Sequence, residues 1–123
     1  MNSGRTLATA GILLALAMVL GAFGAHGLKG QLTPDQLHVY ETAVTYHFFN
    51  ALGLLGIGLT MRFVNGPAVR WAAVLILIGI VLFSGSLYVL TFGAPRPIGI
   101  VTPFGGLALI AGWICFAAGV WRS

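Results

Sequence analysis

Apolar residues run through this chain in four long blocks, separated by short stretches where charge, proline and glycine collect. The first block follows Arg5 and predicts a helix over about residues 6–24. The second opens at Thr33-Pro34-Asp35: an N-cap hydroxyl, a proline at the first helical position and an acid in the first turn. It predicts a helix over about 34–61. Asn65-Gly66-Pro67 is a turn, and a third helix follows over about 68–92, stopped by Gly93-Ala94-Pro95-Arg96-Pro97. Thr102-Pro103 repeats the cap-plus-proline signal and starts a last helix over about 102–121. Each block is close to or longer than the roughly 20 residues that cross a hydrocarbon core of about 30 Å. The second, about 42 Å long, exceeds that thickness. Its first two turns, with Gln36, His38 and Glu41, are therefore expected at the interface.

In lipid only helices and closed barrels satisfy every backbone group. Barrel strands would alternate apolar and polar residues, and runs such as Ala72-Ala73-Val74-Leu75-Ile76-Leu77-Ile78 do not. The fold class that follows is all-α, an integral membrane bundle of four transmembrane helices forming one domain over residues 1–123. The first block exceeds the roughly 7–15 apolar residues of a signal peptide and reads as a retained helix. The connection 25–33, with His26, Lys29 and Gln31, reads equally as a loop or a short surface helix.

Composition agrees. Only 7% of residues are charged and 59% are hydrophobic, whereas about a quarter of a soluble domain is charged. The net charge of +4 comes from basic residues scattered singly at block ends. They form no stripe that could follow a phosphate backbone, which argues against nucleic acid. They read instead as headgroup contacts and orientation signals. Arg5, Arg62, Arg70 and Arg122 fall on one side of a four-span topology. Lys29 and Arg96, with Asp35 and Glu41, fall on the other, so the positive-inside rule places both termini in the cytoplasm. The single cysteine, Cys115, lies within the last block and reads as a packed thiol.

Helical rise places the polar residues by depth. His47 and Asn50 lie about 22 and 18 Å from Arg62, and Ser84 and Ser86 about 21 and 24 Å from Arg70. Gly21, Gly24, His26 and Thr102 reach the same half of the membrane. By angle, Leu37, Val44, Phe48, Ala51, Leu55 and Leu59 form an apolar stripe assigned to lipid. Tyr46, His47, Asn50 and Gly53 then face the bundle. Glu41 lies about 120° from His47, so the two are not an acid–base couple. Ser84 and Tyr88 share a face, while Ser86 points elsewhere. The candidate intramembrane polar cluster is thus His26, Tyr46, His47, Asn50, Ser84, Ser86, Tyr88 and Thr102. Two roles are open to it: hydrogen bonds between packed helices, or a ligand crevice.

The chain holds 18 glycines, well above a background of roughly 7%. Gly21, Gly24, Gly53, Gly79, Gly85, Gly105 and Gly106 are the candidate helix-packing positions, where small residues let backbones approach. No cofactor or metal is indicated: His26, His38 and His47 have no metal-ligand spacing, and no Cys-x-x-Cys-His haem motif is present.

Gly21-Ala22-Phe23-Gly24-Ala25-His26-Gly27-Leu28 resembles the hallmark of a small membrane family catalogued as domain of unknown function 423. Tyr46-His47 with Ala51-Leu52, Leu82-Phe83-Ser84-Gly85-Ser86-Leu87-Tyr88, and Val101-Thr102-Pro103-Phe104-Gly105-Gly106 with Gly112-Trp113 fit the same family, in order along all four blocks. The resemblance implies a four-helix bacterial inner-membrane protein without established activity. The resemblance implies a histidine where this chain has Asn50, a departure that disfavours a shared histidine proton relay or haem site and favours a hydrogen-bonding role.

These readings lead to a non-enzymatic accessory or assembly subunit, packing with a larger membrane complex or with itself in the lipid bilayer. The alternative is a homo-oligomeric channel or transporter for a small solute or ion, with Tyr46, His47, Asn50 and Ser84 lining its path. An intramembrane enzyme ranks last, because neither Ser84 nor Ser86 has a base on its own helix.

Overall fold

The computed structural model describes residues 1–123. It consists of α1 (Ser3–His26), α2 (Pro34–Thr60), α3 (Pro67–Thr91), a short 3₁₀ helix (Arg96–Ile100) and α4 (Val101–Trp121). Four helices are long and apolar enough to cross a membrane.

The helix ends follow from local chemistry. The Asn2 side chain accepts from the Arg5 backbone N–H, so α1 starts at Ser3, ahead of the first apolar residues. At α2 the Thr33 hydroxyl accepts from the Gln36 N–H, and the Gln36 side chain accepts from the Thr33 N–H. This capping box satisfies two donors that a helix start leaves open. Thr102, in contrast, is not the cap of α4. The 3₁₀ turn over Arg96–Ile100 carries the backbone straight into the helix and shifts its start to Val101, with Ile100 at the cap and no side-chain bond. Thr102 is thereby freed to bond Ser86. Between α1 and α2 the chain makes turns rather than a surface helix. Leu28 folds back into the protein, 5% exposed, as its N–H bonds to the Phe23 carbonyl.

The helices pack in chain order, α1 on α2, α2 on α3 and α3 on α4, and α1 forms no comparable interface with α4. The core therefore sits on the two inner helices: Ala51, Leu54 and Ile57 of α2 with Val69, Ala72, Ala73, Ile76 and Ile80 of α3. The outer helices add Ala10 and Leu109.

The α3–α4 contact is a seam of small residues. Gly105, Gly112 and Gly119 stand seven apart on α4, and a Cβ at each would collide with α3 at Phe83, Ile76 and Ala68–Val69 respectively. Gly79 of α3 makes room in the same way for Leu109. A seven-residue repeat keeps one face of each helix in register with the other along the whole crossing. In lipid, where hydrophobicity does not drive helices together, such close contact supplies the attraction. Gly24 against the Tyr40 ring, Gly58 against Leu7 and Gly53 against Trp113 do the same around α2. Gly85 does not belong with them, since nothing lies within 4 Å of a Cβ built there. Gly21 and Gly106 meet neighbours only at ordinary contact distance.

The stripe assigned to lipid on α2 is also corrected. Of its residues only Leu59 is exposed; Ala51 is 0% exposed, at the centre of the core, and Leu37, Val44, Phe48 and Leu55 are half-buried, whereas Phe49 and Leu52, outside the stripe, are exposed. Because α2 lies between α1 and α3, it buries a broad arc, which leaves a narrower outward face displaced from the expected one. Tyr46, expected to face inward, is 47% exposed.

Candidate functional site

Polar side chains form a ladder that ties the helices together. On the half nearer the α1–α2 turn, the Tyr40 hydroxyl of α2 donates to the Leu20 carbonyl of α1. Two turns further along α2, Nδ1 of His47 lies 2.8 Å from the Tyr88 hydroxyl of α3. The Ser84 hydroxyl donates to the Ala43 carbonyl of α2 at 2.8 Å. Ser86, on another face of α3, pairs with the Thr102 hydroxyl of α4 at 2.5 Å and also donates to its own helix at Phe83. Deeper, the Trp113 indole N–H of α4 donates to Oδ1 of Asn50 at 2.9 Å. The Asn50 amide donates in turn to the Tyr46 carbonyl.

The helix period accounts for this order. Tyr40, Ala43, His47 and Asn50 recur every three or four residues and share a face of α2. Ser84 and Tyr88 do so on α3. Aromatic rings close around the ladder: Tyr88 packs at 5.7 Å from Tyr40 and 5.9 Å from His47, each in a tilted or edge-on pose, arrangements that aromatic quadrupoles favour.

Of the residues singled out from sequence, His47, Ser84 and Tyr88 come together at the α2–α3 contact, and Ser86 with Thr102 at the α3–α4 contact. Asn50 stands apart from both, facing α4. His26 is exposed at the last residue of α1 and joins none of these groups. Tyr46 points outward and stacks on Phe83, ring centres 4.7 Å apart. The ladder also uses Trp113, Tyr40 and the Ala43 carbonyl, which residue type alone did not single out. Trp113 carried a usable signal: an indole N–H in mid-membrane requires an acceptor.

His47 is 3% exposed, and its Nε2 is buried without a hydrogen-bond partner, although the Leu13 backbone of α1 comes near the ring. With the Tyr88 bond made through Nδ1, a neutral ring leaves Nε2 either as a bare acceptor or as an N–H without an acceptor. Ser84 gives its proton to a backbone carbonyl rather than to His47, so the two do not form a nucleophile–base pair. Cys115 is half-buried, and its thiol donates to the Ala68 carbonyl at 3.2 Å.

Beside the ladder, a groove of about 480 Å³ opens outward between α2, α3 and α4. Tyr46, Asn50, Phe83, Gly106, Ile110 and Trp113 line it. The Tyr46 hydroxyl enters none of the chain's side-chain hydrogen bonds.

Four apolar helices held by an internal polar ladder define an all-α integral membrane protein. Residues 20–106 match the family model described as "Protein of unknown function (DUF423)". UPF0382 membrane protein SSP2132 of Staphylococcus saprophyticus is 43% identical over 110 residues, 87% of this chain and 88% of that one. UPF0382 membrane protein YwdK of Bacillus subtilis is 46% identical over 100 residues, covering 80% and 81%. UPF0382 inner membrane protein YgdD of Escherichia coli is 35% identical over 122 residues, covering 99% and 93%. The chain belongs to this family of membrane proteins, for which no activity is established. No solved structure matches it.

Proposed function

We propose that this chain is a non-enzymatic assembly subunit that receives a transmembrane helix, from a larger membrane complex or from a second copy, in the groove between α2 and α4. The observation that carries this reading is the unbonded Tyr46 hydroxyl at the edge of that groove. The half-exposed Tyr46 phenol, whose hydroxyl makes no hydrogen bond within the chain, stands about 21 Å along α2 from Thr60, where the surroundings are hydrocarbon. Polar groups at that depth gain from a partner helix that hydrogen-bonds to them. Gly106 on the opposite wall leaves room for a backbone to come close. The channel reading has less support, since His47, Ser84 and Ser86 are buried and engaged with neighbouring helices. Both termini lie in the cytoplasm in this proposal, with Arg5, Arg62, Arg70 and Arg122 on that side.

Native mass spectrometry of protein extracted gently from its own membrane tests the assignment. A stoichiometric particle, homo-oligomeric or with a larger partner, is the expected result. A chain that leaves the membrane alone at every protein concentration contradicts it.

A further inference from the structure

At the end of the bundle that holds the α2–α3 turn, a second groove of about 460 Å³ runs along the outside of α3. Pro67, Arg70, Trp71 and Val74 line it in one stripe at three- and four-residue spacing, with Met1 and Gly66 completing the wall. From Gly66 to Val74 is about 12 Å of helix, enough to lead from headgroup level into the hydrocarbon. Arg70 also borders a narrower crevice of about 50 Å³ whose wall includes Asn2, Ser3 and Asn65. One guanidinium thus stands between a polar crevice and an apolar channel running past Trp71 and Val74. A charged head with an apolar tail has the same profile.

The sign of that head follows from the charge distribution. Arg5, Arg62, Arg70 and Arg122 gather at this end, while the only acidic side chains, Asp35 and Glu41, lie on the first turns of α2 at the other. Arg70 is exposed, so the guanidinium is available. Trp71, 62% exposed, supplies the amphipathic ring typical of the membrane interface. Guanidinium forks match phosphodiester oxygens, and basic pockets at helix ends select anionic lipids.

We propose that this groove is a binding site for an anionic glycerophospholipid. The phosphodiester sits on Arg70 at the mouth of the polar crevice, and one acyl chain lies along Trp71 and Val74. A zwitterionic lipid fits the groove equally well, but its own cation faces the arginine cluster. Selectivity therefore resides in the headgroup. The proposal is independent of the assembly reading, which concerns the opposite side of α3 and the α2–α4 rim.

The test is native mass spectrometry of the full chain in detergent with phosphatidylglycerol or phosphatidylcholine of identical acyl chains. Phosphatidylglycerol is expected to be retained about fivefold more than phosphatidylcholine, the scale set by one basic side chain at the surface. Arg70→Gln brings the two to the same level, while Arg96→Gln, at the other end, leaves the preference intact. Val74→Trp fills the channel and lowers retention although Arg70 remains. Equal retention of the two lipids overturns the proposal, as does equal loss in Arg70→Gln and Arg96→Gln. Full retention in Val74→Trp reduces the effect to diffuse charge and overturns the groove. Displacement of the lipid by millimolar inorganic phosphate shows a free-anion site instead and likewise overturns it.

Discussion

The indole N–H of Trp113 on α4 donates to Oδ1 of Asn50 on α2 at 2.9 Å. It is a side-chain bond between two helices that are not neighbours in packing order, because α3 intervenes between them in the chain. Asn50 holds the acceptor in place by giving its amide to the Tyr46 carbonyl one turn back. A neutral imidazole nitrogen accepts from an indole just as a carboxamide oxygen does.

Asn50→Leu removes the acceptor and leaves an indole N–H in hydrocarbon. The expected loss of stability is about 1 kcal/mol, the scale of interhelical hydrogen bonds in bilayers. Thermal unfolding in detergent reads it, with Trp113 emission followed in a Trp71→Phe, Trp121→Phe background. Asn50→His retains most of the stability. Equal loss in both variants means that volume, rather than the hydrogen bond, sets the site.

His47 and Tyr88 form the only bond that either ring nitrogen of His47 makes within the chain. Tyr88→Phe therefore leaves both nitrogens buried and unpartnered. A double-mutant cycle with His47→Leu is expected to give a coupling on the order of 1 kcal/mol. Additive effects indicate that the pair is adjacent without being coupled.

The seam between α3 and α4 predicts a sharp contrast among glycines. Gly112→Leu drives a side chain into Ile76 and costs about 1–3 kcal/mol. Gly85→Ala has open space around it and stays within about 0.5 kcal/mol of the parent. Comparable melting points for these two variants contradict the packing described here.

Orientation is tested by cysteine labelling of intact cells in a Cys115→Ala background. Lys29→Cys, in the α1–α2 turn, is expected to react with an impermeant maleimide. Ser123→Cys is expected to react only after lysis. The reverse pattern inverts the proposed topology.

The parts of this structure legible in the sequence are those where lipid or backbone chemistry leaves a single solution. The four spans follow from apolar length, and the start of α2 follows from Thr33, Pro34 and Asp35. The depth arithmetic placed His47, Ser84 and Ser86 at one level, and the helix period separated Ser86 from Ser84. Which side of an apolar helix faces lipid was not legible, since lipid tails and a packed core are equally apolar. Ala51 and Phe49 are both hydrophobic, yet one is the centre of the core and the other is exposed. Only the placement of α2 between two helices decides between them. The same ambiguity hid the outward turn of Tyr46. Thr102 does not cap α4 because a 3₁₀ turn, beginning at Pro95 and Pro97, leads the backbone directly into the helix, a feature of chain direction rather than of one capping residue.

Whether the groove beside Asn50 receives another helix is read most directly by filling it. Gly106→Phe projects a ring into the groove, where a Cβ meets only the Phe83 side chain at 3.7 Å. Native mass spectrometry and thermal unfolding are then compared with the parent protein. The stoichiometric particle is expected to give way to a single folded chain with a nearly unchanged melting point. A particle of unchanged mass in Gly106→Phe would contradict it.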